Sequence, residues 1–446
     1  MDTDLLLRTE LLNRQRRHRT PSVALALLRD GEVAWSDAVG HLDARADGTP
    51  ATTQTPYRIG SITKTFVAAT VMQLVRDELV SLDDPITDHL PELDDSLRTV
   101  SVSSLLNHSS GLHAETDGPW WERSDGVTWE QLLPSIRRAH RVGARFHYSN
   151  IGYAVAGELV ARLRGALWFD VVRSDLLDPL GMTHTSYDRP ANAAPGWAVH
   201  PHADLLHHEP THDSRAMAPA GQMWSTVSDL ALWARFLARG SSEVLPDELR
   251  LQMHVPGVVD DTPGAPWTRA YGLGLDVYNR SGRRFIGHGG SMPGYLAALR
   301  IDPDTGDGFT LLTNTTGNFD LDLGYDLLAR LDELDPRHET PWTASGSADE
   351  LAVTGTWFWG PRELVMTASG GELVLRSVHG GRGSRFAPRP EGGWVGRDEY
   401  YAGEPLTHHR AADGTDYLDL GSFRLTRTPY HEASDIPGGI DPARWH

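Results

Sequence analysis

Ser61 and Lys64 are the pair in this chain whose types and spacing could do chemistry together. They lie in YRIGSITKTFVAATVMQLVRD, Tyr57 to Asp77. There Gly60 permits a sharp turn and Ser61 stands where a helix would begin. Phe66, Val67, Thr70, Val71 and Leu74 then recur with helical period, as a stripe facing a core. Three positions apart on such a helix, the hydroxyl and the amine share one face. Both sit at the helix N-terminus, where partial positive charge favours a developing oxyanion. The chain carries 41 Lys plus Arg, and Lys64 is its only lysine. Arginine keeps its proton in a protein, whereas a desolvated amine can give its proton up. The bland alternative is a chance survivor of an arginine-biased composition, so the pair gains weight only from partners.

Two further segments offer such partners. In RFHYSN, Tyr148 could act as general base or acid if nearby cations such as Arg145 depress its phenol, and Asn150 could donate to a substrate amide and orient Lys64. A tyrosine in such a loop is otherwise an ordinary core or rim residue. In GHGGSMPG, His288 could stand as a polar group over a substrate, or be a hydrogen-bonded structural histidine. Gly290 would let a ligand approach the strand backbone, and the Ser291 amide could pair with that of Ser61 as an oxyanion hole.

The elements that must position these residues follow from periodicity. A helix is expected over 3–18, a hairpin over Ser22 to Gly40 turning at Arg29-Asp30-Gly31, and the key helix over 57–77. Further helices are expected from Val100 to Gly111, Ile151 to Leu163, within 170–187, and from Ser225 to Gly240, with a loop-rich stretch from Asp188 to Gly221. Tyr271 to Thr316 alternates as consecutive antiparallel strands, with one turn at Ser281-Gly282, and a helix over 320–334 closes the unit. The terminal segments would then share one sheet in an α+β domain over 1–335. Residues 336–350 read as a linker. Residues 351–446 hold eight strand-like runs separated by Gly-rich turns, a small all-β barrel or sandwich.

Motif order carries a resemblance. S-x-x-K at Ser61 and Lys64, Y-x-N at Tyr148 and Asn150, and H-x-G at His288 and Gly290 resemble the serine β-lactamase and penicillin-binding-protein superfamily. The branch is the class C β-lactamase, DD-peptidase and esterase one. RIGSITKTF, LLNHSSGL, FHYSNIGYAVAGELV, the PLGM of Pro179 to Met182, GQMWSTVSDLALW and YGLGL support it over residues 18 to 335.

The resemblance implies an antiparallel sheet with a helical cluster, Ser61 as acyl-accepting nucleophile, and Lys64 and Tyr148 jointly as its proton partners. Asn150, His288 and Gly290 would position the substrate, and the Ser61 and Ser291 amides would form the oxyanion hole. It implies no cofactor and no metal. Many members have lysine where His288 stands, which weakens the case for an efficient β-lactamase or carboxypeptidase and suits an esterase, amidase or acyltransferase. The second domain resembles the lipocalin-like domain of some cytoplasmic members. Those include penicillin-binding-protein-type thioesterases that release and cyclise carrier-bound peptides, for which a carrier protein would be a partner.

Composition sets the bounds. With 446 residues, 39% hydrophobic, the chain is long enough for two or three domains. A net charge of −19 excludes a basic nucleic-acid or anionic-membrane surface. The absence of cysteine excludes disulfides, thiolate catalysis and thiolate metal sites. No apolar run approaches the roughly 20 residues of a membrane span, and no signal peptide is visible, so a cytoplasmic location and a small-molecule or peptide acyl donor are expected. His207, His208, His212 and Asp213 look like a metal cluster, but adjacent histidines point to different faces. Trp120 and Trp121 could line an entrance or simply pack. A catalytically silent binding protein is the rival reading of another class.

Overall fold

The computed structural model describes residues 3–280, 282–337, 341–344 and 348–429. Ser281 of the expected turn, much of the expected linker and the C-terminal tail lie outside these residues. The chain divides into two compact units, Met1–Arg337 and His338–His446.

The first unit is built on an eight-stranded antiparallel sheet. Its order is Glu32–Gly40, Ser22–Arg29, Gly308–Thr313, Tyr295–Ile301, Arg283–Met292, Asp276–Arg280, Arg269–Tyr271 and Val258–Val259. The opening hairpin pairs directly with the late strand Gly308–Thr313, Val23 opposite Thr313, so the chain ends of the unit meet in one sheet. Both faces of the sheet are covered, which is why Val23 to Leu28 of the strand Ser22–Arg29 are apolar without interruption. Ala24, Ala26 and Leu28 enter the large core under the central helices. Val23, Leu25 and Leu27 enter a smaller core under helices Thr3–Arg17 and Leu323–Leu334. Among the described residues no helix is long and apolar enough to cross a membrane.

The expected stripe of the key helix underestimates its burial. Thr63–Arg76 is buried from Thr63 through Leu74, on every side. Small residues make this fit: Thr65, Ala68 and Ala69 lie outside the apolar stripe and are buried as well. Phe66 stacks on Trp233 at 4.1 Å between ring centroids. The expected helix over Val100 to Gly111 is shorter, Val102–Leu106. It stops because Asn107 closes it and His108 turns into the left-handed region at φ 61°. The last two strands at one end of the sheet, Arg269–Tyr271 and Val258–Val259, are too short for their alternation to be visible.

Ser61 is brought to the sheet by a close contact of two backbones. Gly60 has φ +52°, and a Cβ there would lie 2.6 Å from the Ser291 nitrogen. Reciprocally, a Cβ on Gly290 would lie 2.0 Å from the Ile59 carbonyl oxygen. Each segment therefore needs glycine where the other crosses it.

The second unit is a closed barrel of eight antiparallel strands between Gly355 and Thr426. Its interior is filled by Trp357, Leu364, Leu375, Phe386, Leu406 and Leu418 among others. Each expected strand run holds a strand, except that Leu351 to Val353 belongs to a short helix, Ala348–Val353. That helix ends in a plug: its Val353 carbonyl accepts the Trp357 indole N–H at 2.7 Å, and Arg427 lies over the Trp357 ring at 3.6 Å.

The backbone contact gives a measurable contrast. Gly60→Ala is expected to cost about 2–4 kcal/mol, combining left-handed strain with a backbone clash. Gly165→Ala, at φ +66° with nothing within 4 Å, is expected to cost only the strain, about 1 kcal/mol. Urea unfolding of both variants checks the difference; equal losses would remove the contact from the argument.

Candidate active site

Ser61 lies in a single turn of 3-10 helix, Gly60–Ile62, which runs directly into Thr63–Arg76. The Lys64 ammonium, on a residue 0% exposed, donates to Ser61 Oγ at 2.9 Å and to the Ala220 carbonyl at 2.6 Å. That carbonyl is delivered by lacing between two segments. Ile59 N donates to Met223 O at 2.9 Å and Met223 N to Thr63 Oγ1 at 3.2 Å. Below it, buried Arg58 donates to Gln222 Oε1 at 2.7 Å and Ser214 Oγ at 3.0 Å. Burial pulls the Lys64 amine down to about 7, against the raising influence of Glu115, Glu122 and Asp276. Near neutrality the amine is thus divided between charged and uncharged forms.

Tyr148 comes to the same point from the other side. Lys64 Nζ lies 4.9 Å from its ring centroid, and the Ser61 side chain is near enough to act on the phenol, favouring loss of its proton. The sequence predicts a phenol depressed by nearby cations; instead burial raises it well above the usual tyrosine range. The cation that opposes the rise is Arg269, not Arg145, which is exposed. A phenol held this way keeps its proton at neutral pH.

Asn150 opens the helix Asn150–Arg164, with Ser149 as its cap accepting from Gly152 N at 3.0 Å. The expected contact of Asn150 with Lys64 is replaced: Asn150 Nδ2 donates to Glu115 Oε1 at 2.7 Å, and Ala220 takes the second Lys64 bond. Asn150 is 7% exposed and its Oδ1 has no partner.

The third segment behaves differently from the expectation. His288, 3% exposed, is bonded through Nε2 to the Tyr271 hydroxyl at 2.7 Å and through Nδ1 to the Gly289 carbonyl. It is a structural histidine behind Tyr148, ring centroids 6.1 Å apart, and not a group turned to a substrate. Burial pulls it down to about 4, so it carries no charge at neutral pH. Gly290 likewise makes room for the Ile59 carbonyl rather than for a ligand. Ser291 is exposed, and its backbone nitrogen lies against the turn that carries Ser61.

The loop that carries Trp120 and Trp121 walls the site through Glu115. Glu115 accepts from the Trp121 indole at 2.7 Å as well as from Asn150. Glu122 accepts from the Trp120 indole at 2.9 Å, and burial raises its carboxyl. Trp121 is buried, whereas Trp120 is 60% exposed at the rim. Arg123 anchors the loop to buried Glu209 at 2.6 Å. Glu209 also accepts from Thr316 Oγ1, at 2.9 Å, and Thr316 in turn accepts from Gly294 N at 2.8 Å. The residues whose types look like a metal cluster are separately engaged: His207 and His208 lie on a strand, the His208 ring against Trp197, while Asp213 accepts from the Tyr187 hydroxyl. Among the described residues no three candidate ligands gather around one point.

The beta-lactamase family profile matches residues 8–333, most of the chain. The chain belongs to the beta-lactamase family. A domain family of unknown function matches residues 347–427, the barrel. Penicillin-binding protein 4 of Amycolatopsis lactamdurans is 28% identical over 340 residues, covering 70% of this chain and 86% of the relative. The D-amino acid amidase of Ochrobactrum anthropi SV3, solved with L-phenylalanine amide, superposes with a TM-score of 0.64 at 25% identity, covering 74% of this chain and 98% of the amidase. An octameric penicillin-binding-protein homologue from Pyrococcus abyssi shares the fold over 96% of this chain and 100% of its own, TM-score 0.64 at 22% identity. As a member of the beta-lactamase family, with serine hydrolases among its relatives, this chain is a hydrolase with a serine, an amine and a phenol at one point.

The beta-lactamase site predicts a pH dependence. If the uncharged Lys64 amine is required, turnover of a neutral ester rises with pH through about 7 and levels above it. Glu122 raises the Lys64 amine, so Glu122→Gln moves the inflexion to lower pH. A pH–rate profile of kcat/KM for both proteins checks the sign; a profile that falls across this range would exclude Lys64 as base.

Proposed function

We propose that this protein is a serine acyl hydrolase working through an acyl-enzyme on Ser61, with amino-acid amides or esters bearing a free amine as its acyl donors. The observation that carries the reaction is the 2.9 Å bond from a fully buried amine, the only one on a lysine in the chain, to Ser61 Oγ. In this reading uncharged Lys64 takes the Ser61 proton as Oγ attacks the acyl carbon. The oxyanion forms against the Ser61 and Ser291 amides. Tyr148, holding its proton, passes it to the departing amine or alcohol and is reprotonated from Lys64. Water then attacks the ester on Ser61 with the same groups reversed.

The substrate class is argued from charge. Glu115 and Glu122 both act on Lys64, and beside them Asn150 Oδ1 is a buried acceptor without a donor. An ammonium group would satisfy that surplus of acceptors. Uncharged His288 supplies no fixed cation for a substrate carboxylate, which argues against strict carboxypeptidase action. The likeness to an amidase solved with an amino acid amide supports the same class. The thioesterase reading has one supporting feature, the second domain, a closed eight-stranded barrel.

Intact-protein mass spectrometry after brief exposure to p-nitrophenyl acetate, phenylalanine amides of both hands, their N-acetyl forms, a D-Ala-D-Ala peptide, a penicillin and a peptidyl thioester decides among these. The expected result is a mass gain from the ester and the free-amine amides that is lost in Ser61→Ala. For the amides, kcat/KM should favour the free over the acetylated amine, and Glu122→Gln should reduce that preference about tenfold. An adduct from the thioester alone would favour carrier-bound substrates. No adduct from any donor would leave a binding protein on a hydrolase fold.

A further inference from the structure

His108 is buried completely, and nothing in the reaction just described uses it. It grips the segment that carries Tyr148 at three points. Its carbonyl accepts from His147 N at 2.9 Å. Its Nδ1 accepts from Ser149 N at 3.1 Å. Its ring packs on the Tyr148 ring with centroids 4.2 Å apart. Tyr148 is thus held from the residue before it, the residue after it and its own ring face. His108 reaches this place through the left-handed backbone at φ 61°, which ends the helix Val102–Leu106 and swings the imidazole inward.

The choice of imidazole is informative. Tyr153 and Tyr271 surround the same ring, at 5.3 Å and 4.5 Å, so an apolar side chain would suit the space. An imidazole there leaves Nε2 without a partner, which costs desolvation free energy that a leucine would not. What a leucine would lack is the acceptor for Ser149 N–H. That bond fixes the backbone between Tyr148 and Asn150, the two residues of the site that come from this segment. It also requires Nδ1 to be unprotonated, and burial with Lys64 nearby keeps His108 uncharged.

We propose that His108 is a positioning residue for Tyr148: it holds the phenol at Ser61 by clamping the His147 to Ser149 backbone and the tyrosine ring together. The proposal rests on the acyl-enzyme reading of Ser61. A displacement of about 1 Å can cost on the order of a hundredfold in rate, so the clamp should be felt in kcat.

The test uses two substitutions that tolerate a left-handed backbone. His108→Gly keeps the backbone and removes the imidazole; His108→Asn keeps the backbone and offers an amide oxygen to Ser149 N–H. Each is made alone and with Tyr148→Phe, and p-nitrophenyl acetate turnover, Ser61 acylation by mass and thermal unfolding are measured in the full chain. The expected result is a fall in kcat of about a hundredfold in His108→Gly with KM within threefold. His108→Asn should recover kcat to within about tenfold of the wild type. In the Tyr148→Phe background, His108→Gly should cost less than threefold more. An unchanged kcat in His108→Gly, an Asn variant no better than Gly, or the same factor lost with and without the Tyr148 hydroxyl would overturn the proposal. A Gly variant that does not fold leaves the decision to His108→Asn: a loss of kcat that shrinks in the Tyr148→Phe background supports the clamp, and an equal loss in both backgrounds, or none in either, overturns it. Failure of the wild type to acylate at Ser61 would instead remove the functional reading on which the proposal stands.

Discussion

The desolvation of one amine governs this structure. Lys64 lies at the centre of the helical layer with two hydrogen-bond acceptors, Ser61 Oγ and the Ala220 carbonyl. The pull on its proton affinity from the ordinary 10.5 to about 7 is what remains of the desolvation after the carboxylates of Glu115, Glu122 and Asp276 have opposed it. A marginally stable fold tolerates such a term only where the surroundings over-determine the position. The key helix is accordingly buried on all sides. Its N-terminus is laced to the segment ending at Met223, and Arg58 beneath is held by Ser214 and Gln222.

The second constraint is backbone to backbone. The chain crosses itself where Gly60 meets Ser291 and Gly290 meets Ile59. This crossing brings a helix start, with its unsatisfied amides, against a strand near its hairpin end. Side chains could shift by rotamer changes, but backbones this close at Gly60 and Gly290 leave no room for a Cβ. The sheet and the helical layer are therefore registered to each other at the serine itself, and the apolar run Val23 to Leu28 holds the sheet from both faces.

Much of this was legible in the sequence because period and motif are local. The hairpin, the late strands, the closing helix and eight barrel runs are all written as alternation or helical spacing. The convergence of Ser61, Lys64 and Tyr148 was legible through motif order. What escaped was set by tertiary placement. His288 reads as a site residue by its neighbours, yet a side chain's partner across a sheet has no local signature, and Tyr271 takes its Nε2. Glu115 and Glu122 sit in an irregular loop whose path is fixed by Trp121, Asn150 and the Arg123–Glu209 pair. His108 lies within LLNHSSGL, where composition suggests a helix continuing to Gly111. Only its left-handed backbone shows why the helix stops early.

Charge around the site explains why a single lysine suffices in a chain that otherwise uses arginine. Arg269, Arg58 and Arg123 each hold fixed positive charge against a partner: Asp276, the Ser214–Gln222 pair, and Glu209. They are anchors, and a proton exchange at any of them would release a loop. Lys64 differs because its partners are a hydroxyl and a carbonyl, which accept a hydrogen bond without demanding a full charge. The acidic residues nearby act from a distance and oppose burial, holding the amine near neutrality rather than far below it. With Tyr148 protonated and His288 uncharged, the amine is the group in this cluster whose charge changes near neutral pH. In the acyl-enzyme reading a proton taken from Ser61 therefore has one destination, and the phenol, its ring 4.9 Å from the amine, is the route by which that proton would leave again.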